Sequence, residues 1–422
     1  MDLALLTVAL AGALAGVVAS ALPGVHVNLL AVALLAFAPD AGSAGALFLV
    51  AALAASPFGL ALSATFLGGP ADDAALSSLP AHELAREGRA REAVALQAWG
   101  ALLGILAALP LAFLVRLALP RVPLAAWTPW LLVAVVALLV WSETACLRWP
   151  RARHWTELDE REGSRWLGRL AALGVLLLAG ALGLAAFRLG ARSPFGWPTS
   201  ALLPLLAGLF ALPSLVLSLR ARPRAGRDVL RAPRAHLRPL WRAAWPGAAA
   251  SATLGLLPGV SPSHAALLAP RPRKPEEALV RIAAVNGGAV VFTLLAWHAL
   301  AKARSGALVA AGSLARVPPW PTWRPPPAVL EEAALVVAAA LAGLLLARAL
   351  SGALARAPPR PLAWGGLALV LAAVAAFNGA FGVAVLAAAA LVGALPVRLG
   401  VRRSHLMGAI LVPATLRAWA VA

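Results

Sequence analysis

A Pro-Gly pair occurs twice inside long hydrophobic stretches of this chain. Residues 22–25 read Leu-Pro-Gly-Val, and the same four residues return 235 positions later, at 257–260. Small residues precede both copies at matching positions: Gly12, Gly16 and Ser20 in the first, and Gly247, Ser251 and Gly255 in the second. Proline and glycine interrupt a helix and expose backbone groups that hydrocarbon cannot satisfy. Paired breaks in the two halves of a membrane chain predict a transporter binding site.

The remaining apolar runs predict membrane spans. The chain has 422 residues, 61% of them hydrophobic, and nine runs are long enough, or nearly so, to cross a bilayer core: 45–67, 96–115, 123–142, 168–187, 197–219, 282–300, 328–347, 361–376 and 380–396. With the two Pro-Gly segments, 3–37 and 243–269, they predict an all-α polytopic membrane protein of about ten transmembrane or re-entrant segments.

Basic residues predict the orientation. The connections 148–169 and 220–242 contain six and eight Arg, which places both in the cytoplasm by the positive-inside rule. Segment 243–269 has basic residues at both ends, so it is predicted to enter the membrane and return on the cytoplasmic side, whereas 3–37 does the same from outside. The chain therefore divides into a first membrane repeat (1–219), a basic cytoplasmic linker (220–242) and a second, inverted repeat (243–422). The alternative is that both Pro-Gly segments are simply kinked spans.

The net charge of +19 does not indicate nucleic-acid binding, because orientation and anionic lipid account for Arg residues between spans. Cys146 is the only cysteine, which excludes an intrachain disulfide and a thiolate metal cluster. No catalytic or metal-ligating pattern is evident in the sequence. We therefore expect no enzyme activity and no cofactor, apart from coupling to H+ or Na+.

Polar residues follow each break, where a half-helix N-terminus offers backbone N–H groups and a positive dipole end to an anion. Asn286 joins them because Asn occurs only three times in the chain. The predicted substrate contacts are Gly24, Val25, His26, Asn28, Gly259, Val260, Ser261, Ser263, His264 and Asn286. The alternative is structural: these residues cap the broken helices or hydrogen-bond between helices, and both roles can hold together.

An acidic pair, Asp72 and Asp73, follows residues 67–70 (Leu-Gly-Gly-Pro), where a predicted span meets the cytoplasm. Carboxylates at a cavity mouth can bind a coupling proton or sodium ion. The alternative is that they form the N-cap of a helix beginning at Ala74.

Several phrases resemble the large membrane subunit, TctA, of the tripartite tricarboxylate transporters, in particular its shorter, archaeal-type branch. In chain order the matching phrases are 22–28, 69–73, 79–82, 88–93, 257–260, Asn286, 304–307 and 400–408. The resemblance implies an inverted-repeat carrier in the cell (plasma) membrane, with its site between the two broken elements. It also implies ion-driven uptake of di- or tricarboxylates, together with a small membrane subunit and an extracytoplasmic binding protein.

Three functions fit these observations. The first is a secondary transporter of small organic anions that works by alternating access. The second keeps the architecture but moves a lipid-linked phosphate such as polyprenyl phosphate, since helix N-termini and Arg suit phosphate equally well. The third is a non-transporting membrane scaffold, which predicts kinked but continuous spans and no polar cavity where the breaks meet.

Overall fold

In the residues that it describes, the computed structural model consists of helices joined by turns and loops. These are residues 3–22, 25–66, 80–81, 84–85, 87–121, 124–143, 164–190, 192–220, 237–257, 260, 262–270, 274–300, 303–315, 327–356 and 359–421. Among them, seven helices are long and apolar enough to cross a membrane. This confirms the predicted all-helical, multi-pass class of fold.

The first half contains α1 (Leu3–Ala21), α2 (Val27–Phe37), α3 (Gly42–Phe66), α4 (Ala90–Ala118), α5 (Leu124–Trp141) and α6 (Arg165–Leu189). It closes with α7 (Leu202–Leu206), a π-helical turn (Ala207–Ala211) and α8 (Leu212–Arg220). Proline lies inside α3, α4 and α5, where neighbouring segments of a membrane protein can satisfy the backbone groups that it frees.

The second half contains α9 (Leu237–Ala250), α10 (Ala252–Leu256), α11 (Pro262–Leu268), α12 (Pro275–Leu300), α13 (Gly306–Leu314) and α14 (Pro327–Leu354). It ends with α15 (Pro359–Leu399), a 3-10 turn (Arg403–Met407) and α16 (Gly408–Val421). Helix α9 begins at Leu237, so the end of the region predicted as linker is already helical.

The first Pro-Gly segment folds back instead of crossing once. A Cβ added at Gly12 would lie 2.3 Å from the carbonyl oxygen of Phe48, and one added at Gly16 would lie 2.2 Å from that of Ala52. The contacting positions rise together along both helices, so α1 and α3 run parallel. The chain must therefore return between them, and α2 is the returning limb. This confirms the predicted hairpin in 3–37.

The second Pro-Gly segment repeats this arrangement. A Cβ at Gly247 would lie 2.3 Å from the carbonyl oxygen of Arg281, and one at Gly255 would lie 2.2 Å from that of Phe292. Helices α9 and α10 are therefore parallel to α12, and α11 lies in the return path. The same small residues that mark the repeat in sequence make both close helix contacts, as expected where backbones approach within a membrane.

Helices from the two halves also pack closely. A Cβ added at Gly100 of α4 would lie 2.5 Å from the carbonyl oxygen of Val280, and one at Gly104 would lie 2.3 Å from that of Ala284. These positions again rise together, so α4 and α12 are parallel. One helix from each half thus contributes to a tight interface between the halves.

The two hairpins run in opposite directions. Gln97 Nε2 at the start of α4 donates to Thr65 Oγ1 at the end of α3, at 3.0 Å, and the two helices pack side by side. Helix α3 is therefore antiparallel to α4, and hence to α12. Helix α1 runs in the same direction as α3, and α9 and α10 run in the same direction as α12. Because α3 and α12 are antiparallel, the two copies of the repeat are inverted. Which side of the membrane each hairpin enters stays a prediction from charge.

The predicted spans 361–376 and 380–396 form the two arms of α15. Gly379 separates them with non-helical dihedral angles, φ 61° and ψ −159°. Val370, Val374 and Leu386 belong to one small buried cluster with Ala207 and Ala211. In a straight helix Val370 and Leu386 would be about 24 Å apart, so the chain folds back at Gly379.

Candidate functional site

The N-terminus of α13 lies directly against the first hairpin. Ser305 is the N-cap of this helix, and its Oγ accepts a hydrogen bond from Leu308 N at 3.2 Å. Asn28, four residues after Gly24, places its Oδ1 3.2 Å from Ala307 N and accepts a second hydrogen bond. Two of the N–H groups left unpaired at a helix start are thus satisfied by different halves of the protein.

The preceding residue, Arg304, reaches the second hairpin. Its Nε donates to the carbonyl oxygen of Gly255 at 3.2 Å, and its Nη2 donates to that of Leu256 at 2.9 Å. These carbonyls are at the end of α10, immediately before the second Leu-Pro-Gly-Val. A guanidinium group satisfies the free carbonyls at a helix C-terminus and matches the negative end of its dipole.

Residues 304–307, here called the junction, therefore contact both hairpins. The junction binds Asn28 of the first through α13, and the end of α10 in the second through Arg304. The structure thus brings the two sequence-predicted elements to one place.

His26 has a capping role. It is the N-cap of α2 in an extended conformation, and its Nδ1 accepts from Asn28 N at 3.3 Å. The capping alternative raised from the sequence therefore holds for His26, and the interhelical alternative holds for the Oδ1 of Asn28. Substrate contact by these side chains stays a prediction.

The other predicted contacts are more dispersed. His264 is buried, and its Nε2 lies 3.3 Å from the carbonyl oxygen of Ser404. Val25 and Val260 are both buried. Asn286 lies on α12 and is partly buried.

Five predicted residues lie outside the described part of the chain: Gly24, Gly259, Ser261, Asp72 and Asp73. Ser263 is placed within α11, and its side chain is likewise not described. The proposed roles of these residues in substrate binding and ion coupling remain predictions.

The opposite end of α12 carries an ionic cluster far from the junction. Arg89 pairs with Glu92 at 2.8 Å and, across the two halves, with Glu276 at 2.9 Å. These carboxylates, with Glu92 first, raise the pKa of Arg89. Glu276 also lines an open cleft of about 540 Å³ between α4, α9 and the start of α12. Because α12 has 26 residues, this cleft is about 39 Å along the helix from its other end.

Sequence reasoning missed two polar groups that the structure reveals. Arg304 was noted only as part of a matching phrase, although it forms the link to the second hairpin. Glu143 was not singled out and His405 was noted only as part of the phrase 400–408, yet they form a buried pair with Nε2 and Oε2 2.8 Å apart. The distance in sequence is 49 residues from Gly255 to Arg304 and 262 from Glu143 to His405, so local patterns could not show either contact.

The fold and the junction define a class: a multi-pass membrane protein built from inverted, broken-helix repeats, as in secondary transporters. Comparison with known families makes the assignment specific. The family model described as "Tripartite tricarboxylate transporter TctA family" matches residues 6–408, so the chain belongs to the TctA family. No curated protein and no solved structure matches the chain.

Membership makes the protein a membrane component of a transporter. As the family's description says, these transporters are tripartite, which implies partner subunits, a binding protein among them. The family is one of transporter components and not of enzymes.

Proposed function

We propose that this protein is a secondary transporter of small organic anions, di- or tricarboxylates, that works in the plasma membrane by alternating access. The observation that carries the proposal is the junction, where a cation and a helix N-terminus lie between two inverted broken hairpins. Transporters with inverted repeats commonly bind anionic groups at such half-helix N-termini.

Asn28 and Arg304 supply the donors in this proposal. Asn28 Oδ1 accepts from Ala307 N, which fixes the orientation of the amide, since only the oxygen can accept. Its Nδ2 group then points elsewhere as a donor for a carboxylate. Arg304 uses Nε and Nη2 to hold α10, and its planar guanidinium retains further N–H donors for an anion.

Movement of one repeat against the other would change this site. Arg304 holds the second hairpin while Asn28 belongs to the first, so relative motion stretches or releases the junction. The backbone N–H groups after Gly24 and Gly259, with His26, Ser261, Ser263, His264 and Asn286, complete the proposed shell, and Asp72 or Asp73 couples H+ or Na+. The scaffold alternative is disfavoured because it predicted continuous spans, whereas both Pro-Gly segments turn back.

The test is uptake and binding in proteoliposomes of the purified chain, with and without proton and sodium gradients. Labelled citrate and succinate are compared with polyprenyl phosphate for wild type, Asn28→Ala, Asn286→Ala and Arg304→Lys. Glu331→Gln, an acid at the start of α14, serves as the matched control. Carboxylate uptake that is lost in Asn28→Ala, Asn286→Ala and Arg304→Lys and kept in the control supports the proposal. Movement of polyprenyl phosphate without carboxylate uptake would replace it with the lipid function.

A further inference from the structure

A buried acid–imidazole pair lies outside the junction. Glu143 follows the end of α5, and His405 lies in the 3-10 turn that follows α15. The side chains of Glu143 and His405 are 2% and 0% exposed, and Glu143 Oε2 lies 2.8 Å from His405 Nε2. Glu143 Oε2 also accepts from Arg402 N at 3.0 Å. An ionisable pair so completely removed from solvent in a membrane protein is a functional-site hypothesis by default.

Among the described elements around the pair there are many cations and no second acid. The described parts of α5, α6, α8, α11, α15, α16 and the 3-10 turn carry no other carboxylate. Arg402 Nη1 donates to Ser142 Oγ at 3.3 Å, and Arg403 Nη1 donates to Ser214 Oγ at 2.9 Å. The other described charged or titratable side chains on the elements packed around the turn are His264, Arg165, Arg169, Arg188, Arg360, Arg398 and Arg417.

The internal repeat shows that ionisation here is specific to one half. Position 143 plus the repeat offset of 235 is position 378, which is Asn378. Asn378 is also completely buried, and its Nδ2 donates to the carbonyl oxygen of Ser200 at 3.1 Å. Both halves thus place a buried polar side chain at this position. A neutral amide suffices to hold the structure in one half, whereas the other half carries a carboxylate paired with imidazole.

A second buried pair, His298 and Glu332, is less enclosed. Glu332 is 17% exposed and lies near the start of α14, while His298 lies near the end of α12. The repeat counterpart of Glu332 is Gln97, again a neutral amide. Because this pair lies at helix ends and is more exposed, it serves as the control below.

We propose that Glu143 and His405 form a proton-binding site, required in addition to the ion site proposed at Asp72 or Asp73, that couples protonation to movement of the second re-entrant hairpin. His405 Nε2 carries the proton donated to the ionised carboxylate, since a carboxylate only accepts. The Nδ1 atom of His405 is buried and has no hydrogen-bond partner among the described residues. This nitrogen lone pair takes up the second proton.

The step is a simple proton transfer. Water at one surface gives a proton to Nδ1, an N–H bond forms, and the site changes from a net charge of −1 to neutral. On release this bond breaks, and the proton passes to water at the other surface without any electron transfer. A proton on Nδ1 makes the local charge more positive, which favours binding of a substrate carboxylate nearby. Burial strengthens this electrostatic interaction.

Ser404, the residue before His405, connects the pair to the second hairpin. The carbonyl oxygen of Ser404 lies 3.3 Å from His264 Nε2, and His264 is on α11, the returning limb of the second hairpin. A protonated Nδ1 requires an acceptor that this conformation does not provide among the described residues, so protonation favours a shift of the turn and, through it, of α11. This use of the site rests on the proposed transport function.

The first test reads the site without transport. The full chain, labelled with 15N-histidine and placed in nanodiscs, is titrated from about pH 5 to about pH 8, the range in which histidine changes charge. The seven histidines allow assignment of the His405 signal from its loss in His405→Gln. We expect this signal to titrate, and its titration to move in Glu143→Gln but not in Glu332→Gln. A His405 signal that does not change, or one unaffected by Glu143→Gln, overturns the proposal.

The second test measures succinate uptake with and without an inward proton gradient. Uptake in Glu143→Gln should be equal under the two conditions, whereas Glu332→Gln should keep the stimulation seen in wild type. A gradient effect that persists in Glu143→Gln overturns the coupling site and leaves the transport function intact. If wild type moves no carboxylate under any gradient, the proposed function and the coupling role both fail, while the titration still decides whether the pair binds a proton.

Discussion

Replacement of Gly104 by alanine tests the interface between the two halves. The added Cβ would lie 2.3 Å from the carbonyl oxygen and 2.6 Å from the Cα of Ala284, and backbone atoms cannot rotate away. Helices α4 and α12 must therefore separate by about 1 Å, and overpacking of this kind costs about 1–3 kcal/mol. The better helix propensity of alanine offsets up to about 1 kcal/mol. We expect Gly104→Ala to lower the free energy of unfolding and the thermal midpoint of the purified protein.

Gly174→Ala is the matched control, because it is also within a helix and a Cβ there has no neighbour within 4 Å. This variant should be as stable as wild type or more stable, by about 0.5–1 kcal/mol. Thermal unfolding in detergent, followed by tryptophan fluorescence, compares the three proteins. If Gly104→Ala proves as stable as Gly174→Ala, the close parallel packing of α4 on α12 is refuted.

Three further substitutions probe other contacts. Arg304→Lys should lose one of the two carbonyl hydrogen bonds at the junction, each worth about 1.5–3 kcal/mol for a charged donor, and should lower both the thermal midpoint and citrate binding measured by equilibrium dialysis. Asn378→Ala leaves the Ser200 carbonyl without its donor and should cost about 1–3 kcal/mol in thermal unfolding. Arg89→Ala breaks the pair with Glu276, but these side chains are about one-third exposed, so the loss should be under about 1 kcal/mol and should shrink further at high salt in the same assay.

The hairpins were predictable because two independent local signals agreed. The repeated Leu-Pro-Gly-Val indicated a break, and basic residues at both ends of 243–269 indicated a return to the same side. The small residues before each break, such as Gly12 and Gly247, then formed the close helix contacts that hold each hairpin. A repeated motif and the distribution of basic residues can both be read directly from the sequence.

The site was only partly predictable. Sequence indicated that the breaks would meet, but not that Arg304 and the start of α13 would join them, because this depends on contacts 48 to 279 residues apart. Asn28 was assigned equally to substrate contact and to interhelical bonding, and its Oδ1 makes the interhelical bond. The acid–imidazole pair of Glu143 and His405 was not predicted, since neither residue carries a local pattern that marks its burial.

Cross-linking of the junction tests the central claim, that the first hairpin meets the start of α13. A Cβ at Gly306 would lie 3.3 Å from the Cβ of Asn28, near the Cβ separation of about 3.5–4.5 Å in disulfides. With Cys146→Ser as background, Asn28→Cys combined with Gly306→Cys should form a disulfide on mild oxidation, detected by mass spectrometry after alkylation. The control pairs Asn28→Cys with Gly312→Cys, about 9 Å farther along α13, and should not cross-link. Two fully alkylated thiols in the junction pair after oxidation would contradict the account.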